Sequence, residues 1–293
     1  MDDEIKQSTL EDLSWAELVE ELRAERLDED SEWPALPELH HRGGAAELEL
    51  TLQLTHSDNP EDRTIGADIL GQFGVRSTTK EERENAGPEG ILNRGTFLKE
   101  TVDELLRILD DDAPSVLSSA AVGLGYRGDP RAVEPLSKLA DHPDAEVRHG
   151  VVFGLLGYED PLAIESLIKL SRDEDEDVRD WATFGLGSQI EVDTPEIRQA
   201  LADRLEDSFI DAKEEAIAGL AKRSDKRATD PLLEFWEQGL VSVATYEAAA
   251  ALADPMLLPE LREQKEESED WTADLEYLRV FLDDALKACG GKD

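Results

Sequence analysis

Apolar residues recur three and four positions apart along many short stretches of the chain, which is the spacing of an amphipathic α-helix. The stretches RAVEPLSKLADH and LAIESLIKLSRD show this spacing clearly. Acidic polar turns, such as DHPDAE and RDEDED, separate each of them from a second helical stretch. Carboxylates suit the start of a helix, where free amide groups and the helix dipole favour negative charge. The pattern therefore predicts helix–turn–helix units and an all-α chain.

These units repeat. Six segments align on one position of the second helix, which we call the anchor, and the anchors are Arg63, Leu117, Arg148, Arg179, Lys213 and, more weakly, Ser242. The anchors at 117, 148 and 179 are 31 residues apart, and five of the six segments carry leucine seven residues past the anchor. One helix pair cannot bury both of its faces, so a fixed period predicts stacked layers.

Glycine within the second helix supports close stacking. Gly154 and Gly185 lie at equivalent positions, and each costs about 1 kcal/mol of helix propensity relative to alanine. Close approach of a neighbouring helix would offset that cost, since a side chain there would hold the helices apart. Pro130 and Pro161 fit the first turn of the next helix, where a missing N–H costs little.

Residues 46–256 resemble the HEAT repeat family, in the short variety found in phycobilisome-lyase-like proteins. The resemblance is carried by Val147-Arg148 with Gly154-Leu155, Val178-Arg179 with Ala182 and Gly185-Leu186, and Ala120-Ala121 with Gly123-Leu124-Gly125 and Asp129-Pro130. It implies a right-handed α–α superhelix (a HEAT-repeat solenoid) of about six helix pairs with helical caps. It also implies that second helices line the concave side and that anchor arginines tie adjacent repeats together. Leu117 and Ser242 depart from that feature, so the ladder is expected to be interrupted there.

The remaining parts of the chain are less regular. Residues 1–45 are predicted to hold a helix over 8–25, opened by Ser8 or Thr9, and a linker over 26–44 rich in proline and glycine. Residues 75–97 form an insertion in the solenoid, either a tolerated surface loop or a functional one. Residues 257–293 are predicted to be capping helices, with an apolar stripe formed by Trp271, Leu275, Leu278, Leu282 and Leu286.

Charge narrows the range of partners. The 293 residues include 70 acidic and 30 basic side chains, a formal net charge of −40. Nucleic acids and anionic membranes require clustered basic residues, so neither is expected as a partner. The acidity has two readings that stay open: adaptation to a salty cytosol, or a binding face for a basic protein or peptide. With no apolar run long enough to span a membrane, no leader pattern and a single cysteine, Cys289, we expect a cytoplasmic monomer.

Motifs for catalysis are missing from the sequence. It contains no H-E-x-x-H, C-x-x-C, G-x-S-x-G or phosphate-binding loop. HEAT-type di-iron hydroxylases use His-Glu pairs, and no His-Glu dipeptide occurs. His40-His41, beside Gly43-Gly44, is a weak metal candidate and more often a solvated pair. We therefore expect no catalytic residue, no metal and no cofactor.

One set of residues is a candidate binding site. Positions one, two, five and nine past the anchor should point away from the core. In three neighbouring layers they bring together mostly aromatic side chains, predicted to bind a partner: Tyr126, His149, Phe153, Asp180, Trp181 and Phe184. Aromatic residues are only 5% of the chain, which favours a functional cluster. The alternative is that Phe153 and Phe184 pack the layer interface and Trp181 alone is exposed.

The sequence thus predicts a non-catalytic interaction scaffold or adaptor that binds a partner or peptide on the concave face of an acidic array. Three alternatives stay open. The resemblance allows a bilin-lyase-like helper enzyme, whose acidic, aromatic groove would accept a tetrapyrrole. Chaperone and toxin-immunity roles belong to the same binding class. A purely structural spacer would make surface substitutions silent.

Overall fold

The computed structural model describes residues 10–27, 33–74, 97–268 and 275–291. This part of the chain contains sixteen α-helices and no β-strand. The prediction of an all-α fold is confirmed. The paired helices follow the repeat read from the sequence, so the fold is an α–α solenoid.

In chain order the α-helices are α1 (Trp15–Glu25), α2 (Ala35–His41), α3 (Ala45–Thr55), α4 (Pro60–Gly71), α5 (Leu98–Ile108), α6 (Pro114–Arg127), α7 (Val133–Leu139), α8 (Ala145–Leu155), α9 (Pro161–Leu170), α10 (Glu176–Phe184), α11 (Pro195–Ala202), α12 (Ile210–Lys222), α13 (Thr229–Glu237), α14 (Val243–Leu252), α15 (Leu258–Glu267) and α16 (Leu278–Ala288). A π-helical turn, Gly185–Gln189, continues α10.

The helices group into two compact units, residues 1–155 and 156–293. In the first unit the second helices α4, α6 and α8 pack side by side, and α3, α5 and α7 pack against their partners within each pair. In the second unit α10, α12, α14 and α16 pack side by side in the same way. The six anchors therefore begin or lie near the start of the helices that form these rows.

Aspartate and proline start the helices as the sequence predicts. Asp160 accepts a hydrogen bond from the backbone N–H of Leu162 at 2.8 Å, and Pro161 is the first residue of α9. Asp175 caps α10 by accepting from the N–H of Val178 at 3.1 Å. Each cap satisfies an amide that the helix itself leaves free.

The close backbone approach predicted at Gly154 is present, but the one predicted at Gly185 is not, since the nearest atom to a Cβ added there is Cδ2 of the Leu156 side chain at 2.9 Å. A Cβ added to Gly154 would lie 2.7 Å from the carbonyl oxygen of Ala121 on the neighbouring helix. In the second unit, a Cβ on Gly219 would lie 2.6 Å from the Cα of Gly187. Neighbouring second helices thus approach more closely than side chains allow.

Anchor arginines link successive repeats within each unit. Arg63 donates two hydrogen bonds to Asp111 (2.6 and 2.9 Å), in the turn before α6. Arg179 does the same to Asp207 (both 3.1 Å), in the turn before α12, and also donates to the carbonyl of Asp173 in its own turn. Bidentate arginine–carboxylate pairs fix geometry as well as adding energy. The role implied by the HEAT resemblance is therefore present at these two joints.

A second, buried arginine reinforces the joint between α4 and α6. Arg127, ten residues past Leu117, is fully buried and donates to the carbonyls of Leu70 (2.8 Å) and Phe73 (3.1 Å) at the end of α4. Its burial lowers its pKa to about 10. Leu117 itself cannot form such a pair, as expected, and Arg127 on the same helix instead joins α6 back to α4, the two helices that the Arg63–Asp111 pair also links.

Arg223 repeats this device in the second unit, ten residues past Lys213. Its guanidinium donates to the carbonyls of Leu186 (2.8 Å), Ile190 (3.0 Å) and Gly187 (3.1 Å). These carbonyls belong to the π-helical turn and the residue after it. Arg223 thus satisfies backbone groups that an ordinary helix end would leave free.

The N-terminal predictions need correction. The predicted continuous helix over 8–25 is interrupted at residues 11–14: Leu10 is helical, and helix α1 begins at Trp15, where Ser14 and Glu17 form a reciprocal capping box. Residues 8 and 9 lie outside the described part of the chain. The predicted linker over 26–44 contains the short helix α2, whose Ala35 and Leu39 are buried.

The C-terminal stripe is only partly correct. Leu278 and Leu282 are buried on α16, but Leu275 precedes that helix in a turn and is exposed. Trp271 lies outside the described residues. The predicted insertion over 75–97 also lies outside them, except for Phe97, which caps α5.

Candidate partner-binding site

The six predicted site residues fall in both compact units. In the first unit, Tyr126 near the end of α6 is 58% exposed. His149 and Phe153 lie one turn apart on α8, half-buried, with ring centroids 4.9 Å apart. The structure thus brings His149 and Phe153 together and leaves Tyr126 well exposed.

In the second unit, Asp180, Trp181 and Phe184 share one side of α10. The Trp181 and Phe184 rings meet edge to face, with centroids 5.6 Å apart. All three side chains are half-buried. Phe153, Trp181 and Phe184 are thus all half-buried, and both interpretations of the cluster stay predictions.

A carboxylate on the next second helix completes this surface. Glu215 on α12 accepts a 3.3 Å hydrogen bond from the hydroxyl of Ser188, which lies in the π-helical turn after α10. Sequence reasoning missed Glu215. The repeat register would have found it, because Glu215 follows its anchor, Lys213, by two residues, as Trp181 follows Arg179. We call Asp180, Trp181, Phe184 and Glu215 the acidic–aromatic face.

The surroundings of the two carboxylates in this face disfavour their charged forms. Burial, followed by the nearby charge of Asp211, raises the pKa of Asp180 to about 6. Burial, followed by the charge of Asp180, raises the pKa of Glu215 to about 7. The Oδ1 atom of Asp180 is buried without a hydrogen-bond donor, and neither carboxylate forms an ion pair with a described lysine or arginine. A positive group placed here would therefore be stabilised.

The backbone beneath the face is held by Arg223. Its bonds to the carbonyls of Leu186, Gly187 and Ile190 fix the π-helical turn that carries Ser188. Single π-turns within helices are frequent at functional sites. The face is thus built on a supported backbone rather than on a free loop.

We expect Glu215→Gln to stabilise the protein above neutral pH. Because the pKa of Glu215 is raised from 4.5 to about 7, the folded protein holds a proton that the unfolded chain loses at lower pH. Stability contributed by this group therefore falls as pH rises from about 4.5 to about 7, and the penalty is complete above that. The glutamine variant should gain about 1–2 kcal/mol at about pH 8 and nearly nothing at about pH 5. Urea unfolding at both pH values measures this, and an equal gain at both would contradict the assignment.

The two histidines of the pair, His40 and His41, end helix α2. His40 is buried, with its Nε2 2.9 Å from the carbonyl oxygen of Asp68, and burial lowers its pKa to about 4. Over residues 10–27, 33–74, 97–268 and 275–291, no three His, Cys, Asp or Glu side chains are grouped so as to hold a metal ion. Among the described helices, none has the length and apolar content needed to cross a bilayer.

Paired helices stacked at this period define an α-solenoid repeat protein. The family model for HEAT repeats matches residues 102–187 and 164–253, which together span more than half of the chain. The protein belongs to the HEAT repeat family. The narrower likeness to phycobilisome-lyase-like repeats stays a prediction.

Solved structures agree with this fold. The X-ray structure of YibA from Escherichia coli has 25% identity and a TM-score of 0.69, covering 95% of this chain and 94% of that one. The crystal structure of an engineered protein has 18% identity and a TM-score of 0.56, covering 94% and 79%. Kap95p, in a structure with RanGDP, has 16% identity and a TM-score of 0.59, covering 97% of this chain and 40% of Kap95p. No curated protein sequence matches the chain.

Proposed function

We propose that this HEAT-repeat protein is a non-catalytic adaptor that binds a basic segment of a partner protein on its acidic–aromatic face. The observation that carries the proposal is the placement of Asp180 and Glu215 on neighbouring second helices, half-buried and without a cation in the described part of the chain. Half-buried carboxylates with raised pKa values reduce the stability of the folded protein, and no lysine or arginine of the described residues forms an ion pair with these two. A partner's cation would turn this cost into binding energy.

The aromatic rings supply the apolar part of the contact. Trp181 and Phe184 are held edge to face on α10, so little rotamer freedom remains to be lost on binding. Rigid aromatic side chains beside charged groups are the usual source of binding energy in protein interfaces. Kap95p, whose fold the chain shares, binds the protein RanGDP, and we propose that this chain uses the fold in the same general way. His149 and Phe153 of the first unit remain predicted partner contacts.

Trp181→Ala is expected to weaken the binding of a basic partner by about 2 kcal/mol, roughly thirtyfold in Kd, without loss of helical circular dichroism. The probes are short synthetic peptides that are basic, neutral or acidic, titrated calorimetrically at near-physiological salt. Only the basic peptides should bind.

The matched control is Tyr277→Ala, which removes a 59% exposed aromatic ring at the start of α16, outside the face. It should leave Kd unchanged. Equal binding by wild type and Trp181→Ala would reject the face as the binding site, and the spacer alternative would gain support.

A further inference from the structure

The first compact unit contains a basic side chain bound to an acidic helix face of the same chain. Arg26, directly after α1, donates from Nη1 to Oδ2 of Asp68 on α4. Its guanidinium carbon lies 4.9 Å from the centroid of the Trp33 ring. One guanidinium is thus paired with a carboxylate and covered by an indole. Both contacts favour arginine.

The second unit carries similar groups without the arginine. Asp68 follows its anchor by five residues, and Asp180 follows its anchor by one, so the two occupy the same side of their second helices, one turn apart. Asp68 also accepts a hydrogen bond from Ser119 on the next second helix. Asp180 likewise lies near the next second helix, where its charge contributes to the raised pKa of Glu215. Trp181 supplies an indole beside Asp180.

From this correspondence we infer that the acidic–aromatic face binds an arginine side chain of the partner in preference to lysine, pairing its guanidinium with Asp180 and Glu215 and covering it with Trp181. The inference rests on the proposed function and specifies the chemistry of the group that enters the face.

The preference for arginine has a physical basis. A guanidinium is planar and presents several N–H donors in a fixed fork, so it can bond two carboxylates while its face lies on an aromatic ring. An ammonium is a compact, strongly hydrated charge and must lose more water to enter a half-buried face. The half-buried carboxylate of Asp180, which forms no ion pair with a described lysine or arginine, would pair with the guanidinium.

The surroundings of the two carboxylates predict a pH dependence. Asp180 faces Asp177 on its own helix and Asp207 and Asp211 from the turn and helix that pack against it. Glu215 faces Asp180 across the helix interface and Asp211 and Glu214 on its own helix, with the Ser188 hydroxyl donating to it. The cations nearest in sequence are engaged elsewhere: Arg179 with Asp207, Lys213 with Glu234, and Lys222 with Glu191.

Binding of a guanidinium favours the ionised carboxylates, so binding should release protons. Because the pKa values of Asp180 and Glu215 are about 6 and about 7, affinity should rise between about pH 5 and about pH 8 and then level off.

The test titrates octa-arginine and octa-lysine peptides, which carry equal charge, into the full chain by calorimetry at near-physiological salt. Octa-arginine should bind at least about tenfold more tightly than octa-lysine at pH 8, and this ratio should fall at pH 5. Asp180→Asn should remove most of the preference. The charge-matched control is Asp230→Asn, on the exposed side of α13, which should preserve the preference.

The outcomes separate the inference from the function on which it rests. Equal affinities for the two peptides, both weakened by Trp181→Ala, would overturn the arginine preference and leave the basic-partner function standing. Failure of both peptides to bind, or binding that ignores Trp181→Ala, would overturn both. An arginine preference that survives Asp180→Asn but is lost in Asp230→Asn would also overturn the inference, because it would place the site on α13.

Discussion

Arg127→Met should destabilise the protein by about 3 kcal/mol, although residue 127 lies at the end of its helix. Methionine fills much of the arginine volume but donates no hydrogen bond. The carbonyl of Phe73 would then lose the donor that Arg127 supplies, and that of Leu70 would keep the longer 3.4 Å bond from the N–H of Phe73. An unsatisfied buried carbonyl costs about 1–3 kcal/mol, which outweighs the relief from no longer burying a charge with a lowered pKa.

The control for this prediction is Arg131→Met, four residues further along the chain. The Arg131 side chain is 47% exposed and pairs with Asp129 (2.9 Å) and Asp103 (2.6 Å) on the surface. Exposed ion pairs contribute little to stability, so the free energy of unfolding of this variant should be close to that of the wild type. Chemical denaturation followed by circular dichroism compares the two. If Arg127→Met is no less stable than Arg131→Met, the buried arginine does not join the layers as described.

Gly125→Ala should destabilise the protein by several kcal/mol, the reverse of the effect expected for alanine in an isolated helix. A Cβ at position 125 would lie 2.6 Å from the carbonyl oxygen of Phe153 and 3.0 Å from the Cα of Gly154. Both neighbouring atoms belong to the backbone of α8, so the two helices would have to separate. The gain of about 1 kcal/mol in helix propensity cannot offset that separation.

Gly185→Ala provides the matched control, since it also places a methyl group on a helical glycine. The nearest atom to its added Cβ is Cδ2 of Leu156 at 2.9 Å, the far end of a flexible side chain that can move. This variant should be nearly neutral or slightly stabilised. Thermal unfolding of both variants tests the difference. If Gly125→Ala melts at or above wild type, the close approach of α6 and α8 has been assigned incorrectly.

Much of the fold could be predicted from the sequence because the repeat is written in several independent signals. Anchors, leucines seven residues later, packing glycines and Asp-Pro caps agree in register, so the helix pairs and their stacking follow. The irregular ends carry weaker signals. The start of α1 depended on Ser14 and Glu17, a capping box that is visible in the sequence, but Ser8 and Thr9 offered a competing start. Helix α2 is one short helix between proline and glycine, too brief to show a period.

The candidate site was predictable only one helix at a time. Helical spacing placed Asp180, Trp181 and Phe184 on one side of α10, and the structure does the same. Glu215 comes from the next layer, where it occupies the same register position as Trp181, but one glutamate among 70 acidic residues carries no distinguishing signal. The raised pKa values depend on burial between two helices, which spacing within one helix does not reveal.

The buried arginines were the least visible feature. Arg127 and Arg223 stand ten residues past Leu117 and Lys213, two of the three anchors that lack arginine. That correlation is present in the sequence. The sequence does not show, however, that the carbonyls at the end of the preceding second helix lie within reach of these arginines. The π-helical turn that Arg223 supports likewise has no periodic signal of its own, since it is a local widening of α10.

The two kinds of arginine joint limit how this chain can grow or shrink by duplication. A segment bearing an anchor arginine needs only an aspartate in the following turn, as Arg179 finds in Asp207, so copies carrying both could be added in series. Arg127 instead fits carbonyls at the particular end of α4. Excising or doubling the layer around α6 would leave that guanidinium buried without its acceptors, and the same holds for Arg223 and the layer around α12. In both units the buried arginine therefore limits recombination that the anchor arginine alone would permit.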